Sequence, residues 1–379
     1  MIEASDYRVA YIYSPEYAAV ADLLPSNRGR SSVVHGLAKA LGLLRHPRVD
    51  VVPPALATTD ELKRFHSAEY IEEDEEIWAD PCLLDQFGLL DDCAIFPGLP
   101  RYISLVAGGS LVAALHLLRG THRYAIHWDG GRHHAKRNSA AGFCYVNDIV
   151  LATLALRRRF DKVLYIDVDL HHGDGVEAAF QYSEKVFTLS FHRHAPGFFP
   201  GTGACESVGK GKGKYTCLNV PLQEGLGDSQ FHRIFSDVAR LVSNMFRPDA
   251  VVMQCGTDGL TQDPYNEWNL TPYGFGKAVQ EVLGWNIPTL FLGGGGYHTA
   301  NVARCNAYLT SLIIPCPDIT LDTEIPDHPH LELYAPSYEL GLSPGTMQDH
   351  NSPALAEEIA LMVRQRRYGS GRPEASGQI

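Results

Sequence analysis

Short apolar runs that stop abruptly at Gly, Asp or His constrain this chain more than any other feature. They lie at residues 9–13, 124–127, 163–166, 186–189, 250–253 and 289–292. A strand that is apolar on both faces must be covered on both faces, which is the habit of a parallel sheet between helical layers. The stretches 146–159, 228–245 and 272–283 are long enough to supply such helices. This alternation predicts one α/β domain over most of the chain, not two or three small ones. With 379 residues, 45% of them hydrophobic and 20% charged, a core of that size can be buried. Disordered, collagenous and low-complexity classes are excluded.

In open α/β sheets, functional groups gather beyond the carboxyl ends of the strands. Polar clusters stand at four such places. Trp128-Asp129-Gly130-Gly131-Arg132-His133-His134 follows the run at 124–127, and Asp167-Val168-Asp169-Leu170-His171-His172-Gly173-Asp174 follows that at 163–166. Gln254-Cys255-Gly256-Thr257-Asp258 follows 250–253, and Gly293-Gly294-Gly295-Gly296-Tyr297 follows 289–292.

Asp169 and His171 are two residues apart, so in an extended segment they project to the same side. Asp258 is the candidate third ligand. Two carboxylates and an imidazole suit a divalent metal, and three protein ligands leave a position open for water or substrate. An isolated Asp-x-His is more often a helix cap. The surrounding cluster favours a metal, because two buried carboxylates side by side need a cation or a proton. His133 and His134 can present two bases to one site from a turn, with Asp167 and Asp174 as candidate orienting partners. A lone histidine pair in a loop would carry little weight. Tyr297, after four glycines, can donate a hydrogen bond to a polarised carbonyl. A phosphate-cradling loop there is disfavoured, since neither Gly-Lys-Ser/Thr nor G-x-G-x-x-G is present. Phe143, beside Gly142, and Phe199 lie in Gly/Pro-rich loops. Aromatic residues are usually core, but two facing rings could flank the methylene stem of a long side chain.

Lys plus Arg number 32 and Asp plus Glu 44, a formal charge of −12. This argues against direct nucleic-acid binding and favours cationic partners. No apolar run approaches the about 18 residues that span a bilayer, and the acidic N-terminus lacks a signal-peptide pattern. Eight cysteines without a C-x-x-C pair predict free thiols in a reducing compartment. A soluble chain of nucleus, cytoplasm or both is expected, with no membrane partner.

Over roughly residues 8–340 these motifs, in this order, resemble the zinc-dependent histone deacetylases of class I. The resemblance implies a single three-layer α/β/α arginase-deacetylase domain with a mainly parallel eight-stranded sheet. Residues 1–365 would form the catalytic domain and 366–379 a flexible tail. It implies one catalytic Zn2+ on Asp169, His171 and Asp258, with Fe2+ as the alternative in the cell. A structural K+ is implied on Asp167, Asp169, His171, Ser190 and the Phe191 carbonyl. His133 and His134 match the tandem histidines backed by Asp167 and Asp174, and Tyr297 matches the catalytic tyrosine. Gly142, Phe143 and Phe199 match the acyl-lysine tunnel, and Asp92 the rim aspartate that holds the substrate backbone. The implied reaction is hydrolysis of N-acetyl-lysine in histones or other proteins by metal-activated water. His134 would serve as base and acid, His133 electrostatically, and Tyr297 as oxyanion donor. Chromatin regulation, transcription repression and hydroxamate-type inhibitors are expected with it.

Two positions depart from the family pattern. Arg132 precedes the histidine pair where an apolar residue is familiar, and Tyr265 replaces the usual Leu or Met. Both are expected at the pocket mouth, in contact with substrate. The inositol-phosphate positions of corepressor-bound members match Asn27, Pro264 and Ala300, none of them cationic. A stand-alone enzyme with no obligate inositol-phosphate corepressor complex is therefore expected. Three other functions compete. An amidohydrolase of acetylpolyamines would use an acidic gatekeeper, where Tyr265 stands with Glu267 close by. A silent binding subunit is disfavoured because every catalytic position is filled. A binuclear manganese ureohydrolase would need carboxylates where Gly173 and Gly256 stand.

Overall fold

The computed structural model describes residues 7–71 and 80–369. Eight strands form one sheet: β1 (Val9–Ile12), β2 (Val49–Val52), β3 (Tyr124–His127), β4 (Val163–Asp167), β5 (Val186–Arg193), β6 (Cys217–Leu222), β7 (Ala250–Gln254) and β8 (Thr289–Leu292). Their order across the sheet is β2-β1-β3-β8-β7-β4-β5-β6. Every neighbouring pair is parallel. The sheet, expected to be mainly parallel, is thus wholly so among the described residues.

Alternate residues of the central strands feed two cores, which is what makes the domain three-layered. Val9, Tyr11, Val251 and Met253 join the core beneath the helices Arg30–Ala40, Asp228–Phe246, Pro272–Gly284 and Thr299–Ile313. Ala10, Ile12, Ala250 and Val252 join the opposite core, beneath Leu99–Arg119, Asp148–Leu156 and Asp174–Phe180. The helix Asp228–Phe246 shows the sequence logic. Phe231, Ile234, Phe235, Val238 and Val242 recur at three- and four-residue spacing and are buried, while Asp228 lies in its first turn, where negative charge is favoured. Each large apolar side chain so buried contributes about 1.5–3 kcal/mol.

The edge strands β2 and β6 are absent from the apolar runs of the sequence. β2, Val-Asp-Val-Val, is only half-buried. β6 contains Pro221, whose missing N–H is tolerated on an edge. The helix Leu99–Arg119 is long and apolar enough, by length and composition, to cross a membrane, yet over half of that stretch is buried within the domain. It is a core helix. The helix Leu355–Gly369 runs past residue 365, where a tail was expected to begin. Residues 370–379 lie outside the described residues, as does the acidic N-terminus. All eight cysteines are free.

Candidate active site

The loops bearing the chemistry follow β3, β8, β7 and β4, which are consecutive neighbours in the middle of the sheet. Register aligns Asp167 with Gln254 and Gln254 with Leu292, so the strands release their loops at one level. Asn147 caps the helix Asp148–Leu156 and also donates to the Ala135 carbonyl at 2.9 Å, tying the histidine loop to a helix start.

Asp169, His171 and Asp258 converge at this edge, all buried, with one potential ligand atom each lying within 4.8 Å of the others. Asp169 Oδ2 accepts from Gln254 Nε2 at 2.7 Å and from the Gly295 N–H at 2.8 Å. Asp258 Oδ1 accepts from the Leu170 N–H at 2.8 Å, and His171 Nδ1 lies 2.9 Å from Asp258 Oδ2. Burial and the Asp169 charge raise the Asp258 carboxyl to about 7. Burial opposes ionisation of Asp169 as well, but the charge of His133 and the bond to His171 hold it well below the usual carboxylate range. Burial likewise disfavours a charged His171, and the two carboxylates overrule it, raising the imidazole to about 10. Carboxylates buried this close together need a proton or a cation beside them, and the donor set is one that a divalent cation takes. His171 Nε2 is buried without a hydrogen-bond partner. The ring is oriented by packing, stacked on Phe198 at 5.3 Å and meeting Tyr265 edge-on at 4.7 Å.

The extra carboxylates of a binuclear ureohydrolase site have no room beside it. A Cβ on Gly256 would stand 1.9 Å from Asp169 Oδ2, and one on Gly173 would stand 2.2 Å from Asp167 Oδ2. The carboxylates of a binuclear site cannot enter without displacing the first set.

His133 and His134 lie side by side, ring centroids 3.9 Å apart, and each is backed by its own carboxylate. His133 Nδ1 meets Asp167 Oδ2 and His134 Nδ1 meets Asp174 Oδ1, both at 2.8 Å. Asp167 Oδ2 also accepts from the Tyr165 hydroxyl at 2.5 Å, and Asp174 binds Lys136. The electrostatics of the neighbours diverge. Burial lowers both, but Asp169 and Asp167 bring His133 up to about 9. Burial and the charge of His133 push His134 down to about 3. At neutral pH one ring is cationic and the other neutral.

Tyr297 faces the same pocket, its ring 5.8 Å from Phe143 and 5.2 Å from Tyr265. Its N–H donates to Asp263 Oδ2 at 2.8 Å. Burial, with the Asp258 and Asp169 charges, raises the phenol well above its ordinary range, so it remains a donor. Phe199 lies 4.9 Å from His134 by ring centroids and is 42% exposed, at the open side. Gly142 and Phe143 both have positive φ, 54° and 62°. A Cβ on Gly142 would meet His134 Cδ2 at 2.3 Å. The Phe143 conformation costs on the order of 1–3 kcal/mol, held by Asp92, whose Oδ2 accepts the Gly142 N–H at 2.8 Å.

Residues 24–313 match the histone deacetylase domain family. The chain belongs to the histone deacetylase family. It is 45% identical over 360 residues to Histone deacetylase 8 of Xenopus tropicalis, covering 93% of this chain and 96% of that one. Identity to Histone deacetylase 8 of Danio rerio is 45%, covering 94% of each. To Histone deacetylase 3 of rice it is 40%, over 95% of this chain and 71% of that one. The protein is a class I deacetylase resembling histone deacetylase 8, and family membership supports a hydrolase acting on acetylated lysine.

One expectation changes in this deacetylase, and the polyamine alternative loses support. Arg132 is not at the pocket mouth. It is 5% exposed and turned inward, because Asp148 Oδ1 takes its N–H at 2.7 Å and its Nη2 donates to the Asp129 carbonyl at 2.8 Å. Glu267 is not poised as an acidic gate. It is bound to Arg193 at 2.7 Å. Tyr265, by contrast, is 40% exposed, with its ring against those of His171 and Tyr297.

The motifs left out several supports. Gln254 and Asp263 hold Asp169 and Tyr297, as described above. Arg30 pins the tetraglycine loop by donating to the Gly294 and Gly296 carbonyls at 3.0 and 2.9 Å. Gln254, a polar end to an apolar strand, carried a sequence signal. Arg30, some 260 residues from its partners, carried none.

Proposed function

We propose that this chain is a one-metal hydrolase of N-acetyl-lysine in histones or other proteins. The observation that carries it is the buried Asp169–His171–Asp258 cluster beside a histidine pair whose members are each hydrogen-bonded to a carboxylate of their own. A Zn2+ held by those three residues supplies Lewis-acid polarisation of the amide carbonyl and acidifies water, and Fe2+ is the alternative metal in the cell.

His134, neutral and aligned through Nδ1 by Asp174, takes the proton of the attacking water. It returns that proton to the lysine nitrogen as the C–N bond breaks. His133 stays cationic on Asp167 and favours negative charge developing nearby. The Tyr297 hydroxyl donates to the oxyanion formed from the acetyl carbonyl. Phe143 and Phe199 flank the apolar lysine stem, and Asp92 accepts from the substrate backbone at the rim. Tyr265 sets the acyl preference at the wall. A structural K+, a hard cation that takes oxygen donors, is proposed on Asp167, Asp169, His171 and Ser190 with the Phe191 carbonyl. Asp167 and Ser190 are register partners on β4 and β5.

Peptides are preferred over acetylpolyamines because the gate position is Tyr265 and Glu267 is spent on Arg193. Hydroxamates, which chelate zinc, are the expected inhibitor class. Uncharged Asn27, Pro264 and Ala300 leave no basis for an obligate inositol-phosphate corepressor complex. Nucleus, cytoplasm or both are the proposed locations.

The test is hydrolysis of acetyl-lysine peptides, longer acyl-lysine peptides and acetylpolyamines side by side with zinc-loaded enzyme. Peptide turnover abolished by a chelator supports the reading. Turnover of polyamines alone overturns the protein-substrate assignment.

A further inference from the structure

A cavity of about 590 Å³ opens at the opposite, amino edge of the sheet, among the segments that lead into β1, β2, β3 and β8. Arg8, Arg48, Arg123 and Arg159 line it together with His122, and none of the described lining residues is acidic. That runs against a chain of net charge −12.

Part of the gathering is structural. Helices end at this edge, and their last carbonyls need donors. Arg123 donates to the Asn286 carbonyl and Arg159 to the Leu118 carbonyl. Arg48 lies over the Tyr7 ring at 5.1 Å and Arg159 over Phe160 at 5.9 Å. These contacts orient the guanidiniums and use few of the five N–H donors each one carries. Among the described residues, no carboxylate forms an ion pair with Arg48, Arg123 or Arg159, while Asp50 is taken by Arg8 and His122. Cations gathered round one cavity repel each other, and an anion between them relieves that repulsion. Guanidinium forks match phosphate oxygens in pairs. The volume falls in the usual small-ligand range of about 300–1,000 Å³.

We propose that this cavity binds a compact phosphate-bearing anion through Arg48, Arg123 and Arg159, at the far end of the sheet from the deacetylation site. The site is a property of the domain that the hydrolytic reading does not require. Polyphosphate groups suit it best, because three guanidiniums can engage more oxygens than one phosphate offers.

The test is calorimetry on the zinc-loaded full chain with pyrophosphate, at low and at physiological ionic strength. We expect saturable binding of one anion per chain, weakened by salt. The double variant Arg48→Gln/Arg159→Gln should bind at least about ten-fold more weakly, as loss of charge-assisted bonds requires. Its turnover of acetyl-lysine peptide without anion should equal the wild-type rate, which also shows that it is folded. Arg123→Lys, which keeps charge but loses the fork, should weaken binding by less. A nucleoside diphosphate run in parallel separates two sources: equal affinity indicates bare polyphosphate, and tighter binding indicates an organic phosphate. Absence of saturable binding at millimolar pyrophosphate overturns the proposal. So does heat that persists unchanged in the double variant, as chelation of zinc would give.

Discussion

Beyond the carboxyl ends of β3, β8, β7 and β4, Asp167, Asp169 and Asp258 stand buried among histidines, with Asp174 partly buried beside them, whereas at the amino ends four arginines surround a cavity with no acid among its described lining residues. Both regions belong to one parallel sheet. Every strand enters at one edge and leaves at the other, so where a single helix joins two strands, as Asp148–Leu156 joins β3 to β4 and Pro272–Gly284 joins β7 to β8, the chain returns from the carboxyl edge to the amino edge. Helix starts and loop N–H groups supply donors, and the carboxylates there use them: Gly295, Leu170 and His171 give their N–H groups to Asp169 or Asp258. Helix ends supply carbonyls, and arginines answer them. Strand polarity thus sorts charge before any particular ligand is considered. The carboxyl edge is the candidate reaction site, with Asp167, Asp169 and Asp258 all buried there.

If chemistry is confined to the carboxyl edge, changes there should be severe and changes at the amino edge silent for turnover. The largest effect should come from His134→Ala, a loss of about 10²–10⁴ in kcat/KM with zinc retained, as expected for a general base. His133→Ala should cost less, because Asp167 rather than the reacting atoms is its hydrogen-bond partner. Steady-state kinetics on both variants checks this. Equal losses would erase the distinction between the pair. Next comes Tyr297→Phe, with about a 10²–10³-fold loss and metal content unchanged. A near wild-type rate would remove the tyrosine from the mechanism.

A smaller effect concerns stability at the same edge. Burial lowers both His66 and His127 to about 4. Their unfolded value is near 6.5, so the fold favours their neutral forms. That contribution is complete above pH about 6.5 and is lost as pH falls from there to about 4, on the order of a few kcal/mol in all. Hydrogen exchange should show the loops after β3 loosening in this window before the amino edge does. Uniform loosening would contradict it. Smallest is the effect of Arg48→Gln/Arg159→Gln on peptide turnover, expected within about two-fold, as for surface changes remote from a site.

The central strands were legible because burial on both faces leaves continuous apolar runs, and their chemistry because it clusters just past those runs. β2 and β6 escaped because an edge strand need not be apolar throughout, and Asp50, Asn219 and Pro221 interrupt the pattern. The Asp-His-Asp cluster could be assembled from strand-end placement alone. The rim role of Asp92 rested on resemblance. The inward turn of Arg132 was out of reach, because it depends on Asp148 capturing the loop backbone. The arginine cavity was equally hidden: each residue comes from a different segment, and no spacing joins them.

The most direct measurement is a zinc titration of chelator-stripped enzyme, followed by acetyl-lysine peptide hydrolysis and by bound-metal analysis, with Asp258→Asn alongside. Activity should rise in step with zinc and saturate at one ion per chain, while the variant neither retains the ion nor recovers. Activity that survives without metal, or that needs a second equivalent, would contradict a one-metal site built on Asp169, His171 and Asp258.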